Sequence, residues 1–241
     1  KVFDYVLALP KPDLHLNVTS NFSVEPKLYD KYHDYVKRLC DTQIEHFMQY
    51  VSLDTGIPEH AEYIRDGLNW WRMHENVHRF LDKIPYRNSL TFIITMNNLS
   101  ILGLQRLLDW ILELRMLYSK TYQRVWFDTP LLRSPSWQSL QILPEIYADK
   151  LEESWAFMMK NLETPEKPFH GFKDYELQRL DRAIDWMREG SKLDPAYVKL
   201  QKADFYKFFN EYDKRHKKDF LKTFPEMTAW WKECEYHARQ S

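Results

Sequence analysis

The sequence predicts an α/β chain, and two observations carry that prediction. Three apolar runs in the first hundred residues each end in a short polar cluster. They are Leu14-His15-Leu16-Asn17-Val18-Thr19 into Ser20-Asn21, Phe47-Met48-Gln49-Tyr50-Val51 into Ser52-Leu53-Asp54, and Leu90-Thr91-Phe92-Ile93-Ile94 into Thr95-Met96-Asn97. The segments between them have helical period. Alternation of this kind marks βα units, and such folds place ligands at the C-terminal ends of their parallel strands.

Each element follows from local chemistry. Residues 1–9 read as a short helix end, broken by Pro10 and Pro12. A first strand covers 14–19. Leu28, Tyr32, Tyr35, Val36 and Leu39 give 26–40 a helical stripe, and a second strand covers 44–53. Asp54-Thr55-Gly56-Ile57-Pro58 is a turn before a helix over 59–66. A further helix over 69–83 puts Trp70, His74, Val77 and Leu81 on one face, and Pro85 stops it.

The third strand spans 90–96. Ser100 is then the expected N-cap of a long helix through Leu117, apolar on more than half its circumference and so buried on two sides. Residues 123–128 form the fourth strand candidate. A proline-punctuated loop, 129–137, follows, and the rest is helical at 144–162, 173–189, 195–214 and 217–222 or beyond. Residues 163–171 read as a linker.

The composition narrows the class of function. Lys and Arg total 34 against 35 Asp and Glu, which argues against a general binder of nucleic acid or membrane surfaces. Nine Trp, 15 Tyr and 14 Phe beside five Gly suit aromatic packing in a helix-rich α/β chain. No segment approaches the ~18 apolar residues of a membrane span. Two cysteines, Cys40 and Cys234, make no disulfide framework, and with no signal peptide at the start the expected compartment is the cytoplasm. Neither cysteine has a nearby histidine to activate it, and Cys40 on an apolar helix face reads as buried packing.

Three groups of residues carry candidate chemistry. The strand-end residues Thr19, Ser20, Asn21, Ser52, Asp54, Asn97 and Asn98 would converge at one mouth if the strands are parallel neighbours. Short hydroxyls, amides and a carboxylate suit ribose hydroxyls, an amino-acid moiety or an adenine edge; strand ends also favour Ser, Asn and Asp as turn formers. His74-Glu75-Asn76-Val77-His78 matches HExxH, in which two histidines one helical turn apart bind zinc and the glutamate activates water. Arg72 and Arg79 flank it, Glu113 is the nearest usable carboxylate on a later helix, and a helix face with His74 beside Trp70 and Val77 explains the same residues. The basic run Lys214-Arg215-His216-Lys217-Lys218, among Phe205, Tyr206, Phe208, Phe209 and Phe220, fits a solvated helix end better than a nucleic-acid surface, since Glu211, Asp213 and Asp219 interrupt it.

The chain resembles radical S-adenosylmethionine (SAM) proteins, specifically phage and bacterial members with a twitch-type C-terminal extension. The likeness is carried by Asn17-Val18-Thr19-Ser20-Asn21-Phe22-Ser23, Val51-Ser52-Leu53-Asp54, Glu62-Tyr63-Ile64-Arg65-Asp66-Gly67-Leu68 and Thr95-Met96-Asn97-Asn98-Leu99-Ser100. It continues through Phe127-Asp128-Thr129-Pro130-Leu131-Leu132-Arg133, Phe208 to Arg215 and Phe220 to Met227, nearly the whole chain.

The resemblance implies the later strands of a partial (β/α)6 barrel over 1–128 and a helix-rich extension over 129–241. It implies SAM and a [4Fe–4S] cluster as cofactors, reductive cleavage of SAM to a 5′-deoxyadenosyl radical, and hydrogen abstraction from an unknown substrate. By position, Ser20 and Asn21 would lie near the amino-acid or ribose portion of SAM, Ser52 and Asp54 near the ribose, Arg65 at the carboxylate and Asn97 on the adenosyl side. A guanidinium suits a carboxylate through two parallel charge-assisted bonds.

The family's CxxxCxxC and GGEP motifs are absent from these 241 residues. The expectation is therefore that sequence preceding Lys1, or a partner chain, supplies the cluster, and that one edge of the parallel sheet is uncovered. Two other readings stand beside it: a cluster-free binding or interaction module derived from the same fold, and an HExxH zinc hydrolase using His74, Glu75 and His78.

Overall fold

A computed structural model describes residues 1–9, 14–42, 44–84 and 87–241. The breaks expected at Pro10, Pro12 and Pro85 lie outside the described residues. The chain runs α1 (Val2–Leu7), β1 (Leu14–Ser20), α2 (Pro26–Thr42), β2 (Ile44–Ser52), α3 (Pro58–Ile64), α4 (Trp70–Lys83), β3 (Ser89–Ile93), α5 (Leu104–Tyr118) and β4 (Val125–Asp128). Then come only helices: α6 (Ala148–Lys160), α7 (Asp174–Arg188), α8 (Pro195–His216), α9 (Phe220–Thr223) and α10 (Thr228–Gln240), with short 3₁₀ turns between them.

The four strands are all parallel and lie in the order β1-β2-β3-β4. Strand partners share a face, so register divides the sheet into two surfaces. Phe47, Gln49 and Val51 of β2 line up with Leu90 and Phe92 of β3 and with Val125 and Phe127 of β4. This is the helix-covered face. From α2 the Tyr32 hydroxyl donates to Gln49 Oε1; from α4 Phe80 packs 6.1 Å from Phe47; from α5 Trp110 packs 5.3 Å from Phe92. All three crossovers therefore return their helices to one side.

The other face carries the rows Thr19–Tyr50–Thr91–Trp126 and Ser52–Ile93–Asp128. Thr19 is exposed there, and Tyr50, Ser52, Ile93, Trp126 and Asp128 keep partial exposure. Sequential strand order with the crossover helices on one side sets this sheet apart from a doubly wound one, whose helices cover both faces.

Some boundaries differ from those expected, for physical reasons. β3 stops at Ile93 rather than 96, because the chain then narrows to single contacts: Ile94 N–H bonds Asp128 O at 2.8 Å, and Met96 bridges Leu131. β4 begins at Val125 because Arg124 turns inward, its guanidinium donating to the carbonyls of Asn88, Leu81 and Ile84. Ser100 does not cap α5. Its hydroxyl donates to Asn97 O and accepts from Asn97 N–H, both at 2.9 Å, closing the loop before a 3₁₀ turn.

Residues 163–171, expected as a linker, are packed. Leu162 bridges Phe172, and Phe172 is fully buried. A Cβ on Gly171 would lie 2.2 Å from Glu163 N, so only glycine allows that approach. The Arg115 guanidinium of α5 reaches Gly171 O at 2.8 Å and takes Glu176 of α7 in a bidentate pair at 2.6 and 3.0 Å. One continuous apolar core runs from the sheet into the later helices. The helical stretch expected at 217–222 or beyond ends in α10, which buries Trp230, Trp231 and Cys234, and α10 packs on α8.

Candidate functional site

The C-terminal end of the sheet gathers the strand-end residues, but it uses them unequally. Asp54, just past β2, is 4% exposed. Its Oδ1 accepts from Thr95 N–H, just past β3, and from Arg65 Nη2, both at 2.9 Å. One carboxylate thus ties two strand ends to the loop after α3. Burial pushes the Asp54 carboxyl above its ordinary value, against the pull of Arg65. Arg65 ends α3, where Gly67 takes φ +81, a left-handed turn that favours glycine. The Arg65 side chain is 27% exposed, and its Nε is buried with no acceptor among the described residues.

Ser52 lies on the open face and makes no side-chain hydrogen bond among the described residues. The other three predicted residues serve their own loops. Ser20 Oγ accepts from Phe22 N–H at 3.1 Å, and Asn21 Oδ1 from Ser23 N–H at 3.2 Å. Asn97 Oδ1 accepts from Leu99 and Ser100 N–H while its Nδ2 donates to Thr95 O at 2.9 Å. These are Asx and Ser turns that shape the rim. Asn98 is fully buried, with Nδ2 bonded to Trp137 O at 3.0 Å and Oδ1 without a donor among the described residues.

The loop that bears Arg65 is gripped from the far end of the chain. Tyr63 Oη donates to Asp213 Oδ1 at 2.6 Å, and Tyr212 Oη donates to Tyr63 O at 2.7 Å. The Lys218 ammonium donates to Glu62 O and pairs with Asp66, each at 2.9 Å, and His216 meets the same Asp66 at 2.9 Å. Burial opposes the Lys218 charge, but hydrogen bonds to Tyr212 and Asp66 prevail and raise its pKa. The basic run is therefore only partly a free helix end: Arg215 pairs locally with Glu211, whereas His216 and Lys218 both pair with Asp66. Sequence reasoning missed this clamp. The only signal was complementary charge at 62–66 and 213–218, about 150 residues apart.

The HExxH residues divide between two sides of α4. Asn76 and Val77 face inward, with Asn76 Nδ2 donating to Phe22 O and Val24 O. His74 stacks on Trp110 at 4.8 Å, and His78 Nδ1 lies 3.0 Å from Tyr118 Oη. Burial lowers both histidine pKa values, which favours neutral rings. Among the described residues no group of three His, Cys, Asp or Glu side chains is placed to hold a metal ion.

A [4Fe–4S] cluster does not fit the thiols present. Cys40 in α2 and Cys234 in α10 are both fully buried, and burial pushes the Cys40 thiol up to about 12 and the Cys234 thiol higher than its ordinary value. No helix among the described residues is long and apolar enough to cross a membrane. Neither a protein-family model, a curated protein nor a solved structure matches the chain.

Proposed function

We propose that this sheet is one wall of a radical SAM-type barrel, binding SAM at the ends of β2 and β3, with the cluster ligands supplied by residues other than these 241. The observation that carries the reading is the Asp54–Arg65–Thr95 junction at the C-terminal end of a sheet wound to one side. Ligands of barrel enzymes sit at that end.

The chain's own residues supply binding and orientation. Asp54 holds one guanidinium nitrogen and so fixes the direction of the other donors of Arg65. Those donors would take the SAM carboxylate by charge-assisted bonds. Ser52, on the open face, would meet a ribose hydroxyl. Asn97, Asn21 and Ser20 shape the rim loops with their acceptor oxygens, and the donors not used among the described residues, the Ser20 hydroxyl hydrogen and Asn21 Nδ2, would be theirs to offer a ligand. When bound, SAM supplies the oxidant for hydrogen abstraction through its one-electron cleavage.

A second reading, a cluster-free interaction module, is favoured by the two buried thiols. Metal analysis of the product of the full reading frame, purified anaerobically, separates the readings. About four irons per chain is the expected result. About one zinc would transfer the function to His74 and His78. No metal, with no SAM binding, would leave the interaction module.

A further inference from the structure

The helix that leads into the Arg65 loop is held by one aromatic ring from the far end of the chain. Phe224, just past α9, is fully buried. Its ring lies 4.4 Å from that of His60 and 5.1 Å, edge-on, from that of Tyr63. His60 and Tyr63 are three residues apart on α3, so they share a helix face and meet Phe224 together. Tyr63 is tied in turn to Asp213 and Tyr212 of α8, and Arg65 follows two residues later. The position of Arg65 thus depends on Phe224 staying seated against α3.

A histidine in that seat has a consequence for its protonation. His60 is 4% exposed, and its Nδ1 is buried with no hydrogen-bond partner among the described residues. A neutral ring can leave that nitrogen without a proton. The protonated ring carries N–H on both nitrogens, so Nδ1–H would become a buried donor without an acceptor, on a charged group. The charged groups facing the ring are Glu59 on α3 itself and Glu226 on the turn after α9. Both carboxylates and the Thr223 backbone favour protonation, yet burial outweighs them and holds the His60 pKa below its ordinary value. The seated ring is therefore neutral at pH 7, and a ring released into water regains its ordinary affinity for a proton.

We propose that this seat is an acid-sensitive latch: uptake of a solvent proton by His60 unseats Phe224 and α9 from α3 and frees the loop that carries Arg65. A histidine lowered in the seated state contributes fully above about pH 6.5, and that contribution is lost as pH falls toward the lower seated value. The other histidine at this loop acts in the opposite sense. His216 lies 2.9 Å from Asp66, which also holds the Lys218 ammonium at 2.9 Å. Protonating His216 adds an opposite charge beside Asp66 and removes no contact, so loosening in acid belongs to His60. The release needs no SAM. Only its consequence, weaker SAM binding in acid, rests on the role proposed for Arg65.

The test is amide hydrogen exchange of the whole chain between pH 7 and pH 5, corrected for the intrinsic rate, with α5 as the internal control. Protection over 61–68 and 220–227 should fall about tenfold at pH 5 while that of α5 holds. His60→Gln stays neutral and keeps a polar end, and it should abolish the fall. Glu226→Gln keeps the test open if that variant does not fold. It removes an exposed carboxylate that favours the protonated ring, so the midpoint of release should move to lower pH. A fall of less than about twofold, a fall shared equally by α5, the same fall in His60→Gln, or a midpoint not lowered by Glu226→Gln would each overturn the latch. SAM affinity at the same two pH values tests the consequence alone. Constant affinity with a released loop would count against the role of Arg65 and leave the latch standing.

Discussion

Two arginine–carboxylate pairs, one buried and one partly open, tie separate segments of this molecule together, and they are built to opposite standards. Arg115 and Glu176 are both fully inaccessible. The guanidinium there gives Nε to Val125 O at 3.0 Å, one terminal nitrogen to Gly171 O and Glu176, and the other to Glu176 at 2.6 Å. Glu176 also accepts from Lys173 N–H at 3.0 Å. Arg65 and Asp54 make one bond at 2.9 Å, leave Nε without an acceptor and keep part of the arginine in solvent. The first pair is closed and joins α5 to α7. The second is open at the C-terminal end of the sheet. A closed pair serves the fold, whereas an open one at a strand end has capacity left for a ligand.

Breaking the closed pair should give the largest effect. Glu176→Gln strands a buried guanidinium and should cost about 3–5 kcal/mol in urea unfolding, with loss of folding if the reserve is smaller. An effect below about 1 kcal/mol would show that this pair is not the joint between sheet and helices.

The open pair should behave differently. The Asp54 carboxyl is raised in the fold by burial. The stability a raised acid contributes is full below its unfolded pKa of about 3.9 and is lost as pH rises through the higher folded value. Ionising Asp54 therefore costs the fold stability as pH rises. Asp54→Asn should leave the melting temperature unchanged or raise it, with the difference closing as pH falls toward 4. A loss as large as that of Glu176→Gln would erase the distinction between the pairs.

A smaller effect should come from the clamp on the Arg65 loop. Lys218→Met removes the tie to Asp66 and Glu62 O and should lower the melting temperature by about 2–4 °C. The least effect concerns α4. Burial lowers the pKa of His74 and His78 below 6.5. Their stabilising contribution is full above pH 6.5 and is lost as pH falls through the lower folded values. Melting should therefore weaken between pH 7 and 5, and His74→Asn with His78→Asn should flatten that slope.

The strands were legible in the sequence because apolar runs with polar ends survive any tertiary context; β1 and β2 differ from expectation by a single residue at their ends. The long helices were legible from their 3.6-residue stripes. Packing that joins distant sequence was not. The Gly171 approach, the Arg115–Glu176 pair and the Tyr63–Asp213 bond depend on partners 56 to 150 residues away, which no local period reports. The site was legible as a place but not as an assignment of roles. Six residues, five at strand ends together with Arg65, were expected to face a ligand. Asp54 and Arg65 meet, while Asn97, Asn21 and Ser20 bond their own loops, because short polar side chains after a strand satisfy the backbone first.

The most direct measurement is a calorimetric titration of the full-length protein with SAM, comparing wild type with Arg65→Ala. Melting temperatures of both are recorded alongside. The account predicts at least about tenfold weaker SAM binding in the variant, as loss of a charge-assisted carboxylate contact entails, with a folded and cooperative melt. Unchanged affinity in a folded variant would contradict it, and the Asp54–Arg65 pair would then belong with Arg115 and Glu176 as a part of the fold alone.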